Sequence, residues 1–257
     1  MAISVLRPAV VAVATALLVV ATGYAVQAGS PTDDAYAADK PAPATTSTAA
    51  AKPPTASASA GALFAGGTHF CSASVVHSAA GDVVLTAAHC LNGGQLTFAP
   101  GYHDGVAPYG MWTVTGSFVA DGWSASADPD LDFAFLTVHQ AGNAATVESL
   151  TGANALGTDT GFTHRITLTG YPDTTDAPVV CQGTTSQSDT YQQRVACAGF
   201  PDGTSGGPWV TDVDPATGYG TVVGVIGGYQ LGGDTPDVSY SAYFDDDIAK
   251  LYGSVTG

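Results

Sequence analysis

The sequence predicts an all-β protein closed by one short C-terminal helix. Short apolar or β-branched runs recur between clusters of Gly, Pro, Asn and Asp, the signature of many short antiparallel strands. Glycine is abundant, at 32 of 257 residues, while charged residues make up only 11 %. That balance suits tight turns better than salt-bridged helices. No apolar repeat near 3.6 residues appears until the chain is almost finished.

Taken in order, the first elements are not fold. Arg7 precedes an apolar run from Ala9 to Val20, and small residues continue to Ala28. A short positive region, a hydrophobic region and a small-residue cleavage site read as a signal peptide over residues 1–28. Apolar character persists almost to residue 28, so an uncleaved membrane anchor is the alternative. Residues 29–60 are rich in Ala, Thr, Ser and Pro and poor in large apolar side chains. Such a segment cannot offset its ordering entropy, and it reads as a disordered linker or propeptide.

A folded domain is expected over residues 61–257. Its strand candidates are 74–76, 83–86, 111–114, 133–138, 165–169, 179–180, 209–211, 221–226 and 238–243. The stretch from about Ala141 to Thr160 is poor in strand formers and is read as a link between two halves. At the end, Asp245, Asp246 and Asp247 precede Ile248, Ala249, Leu251 and Tyr252. Carboxylates in a first turn complement the helix dipole, so a helix is expected there.

The formal net charge is −16. In the first sixty residues Arg7, Lys40 and Lys52 balance Asp33, Asp34 and Asp39, so the whole excess falls on residues 61–257. There only Arg165, Arg194 and Lys250 are basic. Such a surface repels a phosphate backbone and argues against a nucleic-acid partner. Four cysteines behind a signal peptide read as two disulfides in an oxidising exterior.

Three segments carry chemistry. Gly203-Thr204-Ser205-Gly206-Gly207-Pro208 places a serine on a glycine-lined turn. A nucleophilic hydroxyl needs such an exposed turn, with backbone N–H groups aimed at the developing oxyanion. Leu85-Thr86-Ala87-Ala88-His89-Cys90 ends a strand in small residues and offers a histidine as general base. Asp132 opens the apolar run from Phe133 to Leu136, where a carboxylate is costly without a partner, and an imidazole is a natural one. Asp128 and Asp130 read as solvated loop residues.

Together and in this order, the three boxes resemble those of trypsin/chymotrypsin-type serine peptidases, in a short form similar to secreted actinobacterial members. The resemblance implies two antiparallel six-stranded β-barrels with the active site between them. It implies a serine endopeptidase in which Ser205 attacks the peptide carbonyl, His89 moves the proton and Asp132 orients His89. The N–H groups of Gly203 and Ser205 would form the oxyanion hole. His-Phe-Cys-Ser-Ala-Ser-Val at 69–75 is similar to the family strand whose cysteine pairs with the one after the histidine. That implies a Cys71–Cys90 disulfide, worth about 3 kcal/mol in the chain-entropy picture, and with it a Cys181–Cys197 pair.

The resemblance departs at two places. The family usually has Asp just before the serine, where it binds a newly cut N-terminal ammonium; Thr204 cannot, so no zymogen switch of that type is expected. The specificity pocket is rebuilt, because Cys197 lies eight before Ser205. Counting back six from the serine places the pocket base at Gly199. Gly227, Gly228 and Tyr229 resemble the strand that pairs with substrate backbone by β-augmentation.

Expected partners are protein or peptide substrates, with no nucleic acid and no membrane after signal cleavage. The chain is expected to be an extracellular monomer without cofactor or metal. Three rival readings are a catalytically dead binding module, zinc held by His69, Cys71, His89 and Cys90, and an esterase using the same triad. An α/β-hydrolase would order its triad Ser, Asp, His and alternate strands with helices, unlike this chain.

Overall fold

The computed structural model describes residues 55–91 and 94–257. The expected signal peptide, 1–28, and most of the expected linker, 29–60, lie outside the described residues. The packed region begins slightly before position 61. Ser59 is buried and its carbonyl accepts a hydrogen bond from Val75 N–H at 2.8 Å, while Ala60 opens the first strand.

The first half is a closed six-stranded barrel. Its strands are β1 (Ala60–Ala65), β2 (Thr68–Val75), β3 (Val83–Thr86), β4 (Leu96–Pro100), β5 (Trp112–Val119) and β6 (Ala134–His139). They are hydrogen-bonded in the order β1-β2-β3-β6-β5-β4, with β4 returning to β1. Closure leaves no free edge to aggregate. Leu63, Leu85, Phe98, Trp112, Phe135 and Leu136 fill its core.

The second half holds eight strands: β7 (Ala155–Leu156), β8 (Arg165–Gly170), β9 (Val179–Thr184), β10 (Ser186–Asp189), β11 (Gln192–Ala196), β12 (Pro208–Thr211), β13 (Thr221–Val225) and β14 (Val238–Ala242). Five form a sheet in the order β7-β13-β12-β8-β9, and three form a second sheet, β10-β11-β14. Ile166, Leu168, Val195, Trp209, Val223 and Ile226 pack as a separate core. Between β13 and β14 the seam is partly side-chain mediated. Val225 N–H donates to Ser241 Oγ at 3.1 Å, and Gly227 N–H donates to the Tyr240 carbonyl at 3.0 Å.

Two short helices join the expected terminal one. α1 (Asp121–Ser126) has no buried residue and so leaves no apolar stripe in the sequence. α2 (Val147–Thr151) is little more than one turn, capped where Thr146 accepts a hydrogen bond from Ser149 N–H. It lies in the segment read as a link. α3 (Asp246–Thr256) starts where the run of aspartates places it, with Asp245 as N-cap accepting from Asp247 N–H at 2.9 Å. Phe244 and Ile248 are buried in the core of the first barrel, so the last helix packs back onto it.

Both disulfides are local. Cys71 is bonded to Cys90 and Cys181 to Cys197, at sequence separations of 19 and 16. Each therefore ties neighbouring segments and not the two halves.

Candidate active site

His89 sits in the single 3₁₀ turn Ala88–Cys90 after β3. First-turn N–H groups lack partners within their own helix. The N–H of His89 finds one in Asp132 Oδ1 at 2.9 Å, and its ring Nδ1 lies 2.7 Å from Asp132 Oδ2. The disulfide from Cys90 to Cys71 pins this turn to β2.

Asp132 follows the 3₁₀ turn Pro129–Leu131 and is fully buried. Its second oxygen also accepts Gly228 N–H at 2.8 Å. Three donors thus satisfy a carboxylate that no Lys or Arg neutralises, the condition for keeping such a charge inside a protein. Asp128 and Asp130 are not merely solvated. Asp128 caps the turn by accepting Asp130 N–H at 3.1 Å, and Asp130 accepts Gln192 Nε2 at 2.7 Å.

Ser205 lies on the loop before β12, in a cleft of about 600 Å³ that it shares with His89 and Gly203. Ser205 and His89 are not directly hydrogen-bonded. Two N–H groups of this loop stay unpaired among the described residues. The Asp202 carbonyl accepts Asp173 N–H at 3.1 Å, and the Thr204 carbonyl accepts Gly207 N–H at 3.0 Å. Every peptide here is trans, so in each the N–H points opposite to its carbonyl. The N–H groups of Gly203 and Ser205 consequently face away from those partners, and neither finds an acceptor among the described residues. Gly203 has φ +89°, and a Cβ there would meet Asp173 N at 2.2 Å; a Cβ on Gly206 would meet the Ser72 carbonyl at the same distance. Both positions need glycine.

Gly199, Gly227, Gly228 and Tyr229 do not line this cleft. Gly199 is exposed, and the next residue, Phe200, turns into the second core and lines the cleft instead. Gly227, Gly228 and Tyr229 follow β13. Their N–H groups are committed to the Tyr240 carbonyl, Asp132 Oδ2 and Gln192 Oε1. Past them the chain turns through Gln230 and Leu231, both at positive φ, and residues 230–236 form the cleft's far wall. The zinc reading loses its thiolates, since Cys71 and Cys90 are bonded to each other.

The family model for trypsin matches residues 46–244, about three quarters of the chain. The chain belongs to the trypsin family. This trypsin-family chain is a serine-type endopeptidase, and proteins or peptides are its substrates. It is similar to the protease Anisep from Arthrobacter nicotinovorans, at 26 % identity and a TM-score of 0.67 over 79 % of this chain and 97 % of that one. It is equally similar to AL20, a thermostable serine protease from an extremophilic microorganism, at 27 % identity and a TM-score of 0.67 over 78 % and 97 %. A Glu endopeptidase shares the fold at 17 % identity and a TM-score of 0.61, over 77 % of this chain and 90 % of that one. No curated protein sequence matches.

In this trypsin-family chain Thr204 turns inward, almost fully buried, and its Oγ1 donates to the Pro201 carbonyl at 2.6 Å. Two residues that sequence reasoning missed organise the site. Gln192, on β11, donates to the Pro129 carbonyl at 3.0 Å and to Asp130, and accepts Tyr229 N–H at 3.0 Å. Ser72, on β2, reaches the loop of Ser205. Neither has a local sequence signal.

Proposed function

We propose that this endopeptidase cleaves peptide bonds through Ser205, His89 and Asp132. The single observation that carries the reading is the fully buried Asp132 bonded to His89 Nδ1, with Ser205 lining the same cleft. A proton held on Nδ1 by the carboxylate leaves the Nε2 lone pair free to act as a base. Ser205 Oγ forms a bond to the scissile carbonyl carbon as His89 takes its proton. The N–H groups of Gly203 and Ser205 receive the resulting oxyanion. Collapse breaks the C–N bond, His89 gives its proton to the leaving amine, and water then hydrolyses the acyl-enzyme by the reverse sequence of proton transfers.

The proposed enzyme is secreted and extracellular, on the strength of residues 1–28, and acts as a monomer without nucleic acid, membrane, cofactor or metal. No described helix is long and apolar enough to cross a membrane. Thr204, tied within its own loop, supports a site that needs no new N-terminal ammonium.

Labelling with a fluorophosphonate probe, read by intact mass and peptide mapping, tests the nucleophile. A single adduct on Ser205, absent from Ser205→Ala, is expected. An adduct on another residue, or none on folded protein, overturns the assignment.

A further inference from the structure

Ser72 is fully buried in β2 of the first barrel, yet its polar groups serve the second half. Its backbone N–H donates to the Ser205 carbonyl at 2.6 Å. Its hydroxyl donates to the Gly203 carbonyl at 3.0 Å and accepts Tyr171 N–H at 2.8 Å. Its own carbonyl accepts Thr86 Oγ1 at 2.8 Å, one strand over and just ahead of the His89 turn. One residue thus grips the carbonyls of both residues whose N–H groups have no acceptor among the described residues. Peptide rotation at Gly203 is the easy way to lose that arrangement, because glycine places little steric restriction on its neighbours. The Gly203 carbonyl belongs to the following peptide, so fixing it limits turning about Gly203 from one side, while the Asp202 carbonyl on Asp173 N–H limits it from the other.

We infer that the Ser72 hydroxyl is a positioning residue for the oxyanion hole, clamping the Gly203 backbone from the first barrel in place of an N-terminal ion pair. The inference rests on the reading of Gly203 and Ser205 as that hole. Donors fixed before reaction need no reorganisation in the transition state, which is why their placement governs the rate of acylation more than ground-state binding. Ser72 makes no hydrogen bond to His89 or Asp132.

Acylation by p-nitrophenyl acetate tests this. Its carbonyl carbon bonds to the nucleophile and p-nitrophenolate leaves, giving a burst whose amplitude counts working sites and whose rate reports acylation. Ser72→Ala in the full chain is expected to keep the burst amplitude per folded protein. Its acylation rate should fall about 10- to 100-fold, short of the ~10²–10³ for deleting a hole donor outright. The acid limb of the pH–rate profile should not move. Ser72→Thr, which keeps a hydroxyl, should recover most of the rate. If Ser72→Ala does not fold, Ser72→Gly removes the same hydroxyl and leaves room for a water on Tyr171 N–H; a fall of at least about fivefold is then expected. A rate within twofold of wild type in the folded variant, a loss confined to amplitude, or a shifted acid limb overturns the inference. A wild-type chain without a burst sinks the triad reading and Ser72 with it, whereas an unchanged variant beside an active wild type sinks Ser72 alone.

Discussion

Asp132 receives two hydrogen bonds from His89 and one from Gly228, so replacing its charge and replacing its shape have different consequences. Asp132→Asn with its oxygen in the place of Oδ1 keeps an acceptor for His89 N–H but presents an NH2 group to the imidazole and to Gly228 N–H. That favours the wrong tautomer. The fold should persist, with turnover down by about 10⁴, the size typical of a triad carboxylate. Steady-state kinetics with a thermal melt decides it, and a loss below tenfold would assign the role to another carboxylate. At this scale the sequence was informative where a role has a local signature. His89, Asp132 and Ser205 each sit in a recognisable box. Ser72 and Gln192 do not, because their partners lie far away: Ser72 meets Gly203 across 131 positions. A serine on a strand looks the same whether it faces solvent or a catalytic loop. Counting back from Ser205 reaches exposed Gly199 and goes one past Phe200, which lines the cleft, since the count assumes a loop length that the Cys197–Ser205 stretch does not keep.

Among the elements, strands with apolar runs were legible almost to the residue. The run at 83–86 is β3, and those at 165–169, 209–211 and 221–226 sit on β8, β12 and β13. Some strands were missed for want of such a run: β10 is Ser-Gln-Ser-Asp and wholly exposed. β1 was missed although Leu63 and Phe64 lie buried in it, because only Ala and Gly flank that pair. α3 was legible from its cap, and that cap carries a cost. Partial burial holds the Asp245 carboxyl above its ordinary value, with the nearby Asp247 and Asp159 adding to the rise. A carboxylate raised in the folded state contributes most below its unfolded value, and that contribution is lost as pH rises through the folded one. At neutral pH the ionised side chain therefore works against the fold. Asn caps a helix as well as Asp does, so Asp245→Asn should melt higher at pH 7, and the gap should close near pH 3. A lower melting temperature at pH 7 would show that the negative charge helps the helix terminus more than burial harms it.

Across the molecule, the halves are held without a covalent bridge, by contacts such as Ser72 to the loop of Ser205 and Gln192 to the turn before Asp132. A division into two halves was legible from the strand-poor stretch at about 141–160, whereas the sheet each strand joins was not, because no single strand reports its neighbours. Charge is the global feature the sequence states outright. The excess of −16 is uncompensated, for among the described residues none of Arg165, Arg194 and Lys250 forms an ion pair. Self-repulsion opposes the compact state, and salt shortens its reach to about 10 Å at 0.1 M. Raising sodium chloride from about 0.01 M to 0.15 M should therefore raise the melting temperature. A fall would mean that local favourable pairs outweigh the net repulsion.

The first barrel ends in sequence at His139, yet Phe244 stands against Phe133 with ring centres 6.0 Å apart, and Tyr252 against Phe135 at 5.5 Å. Those partners leave the ribosome well after the barrel's own strands. At about 5–20 residues per second, the barrel bearing His89 waits roughly 5–20 s for the side chains that complete its interior. A nascent chain released early is left with an open core and no finished enzyme, so translation itself supplies an interval in which the cell making this hydrolase holds only harmless fragments of it.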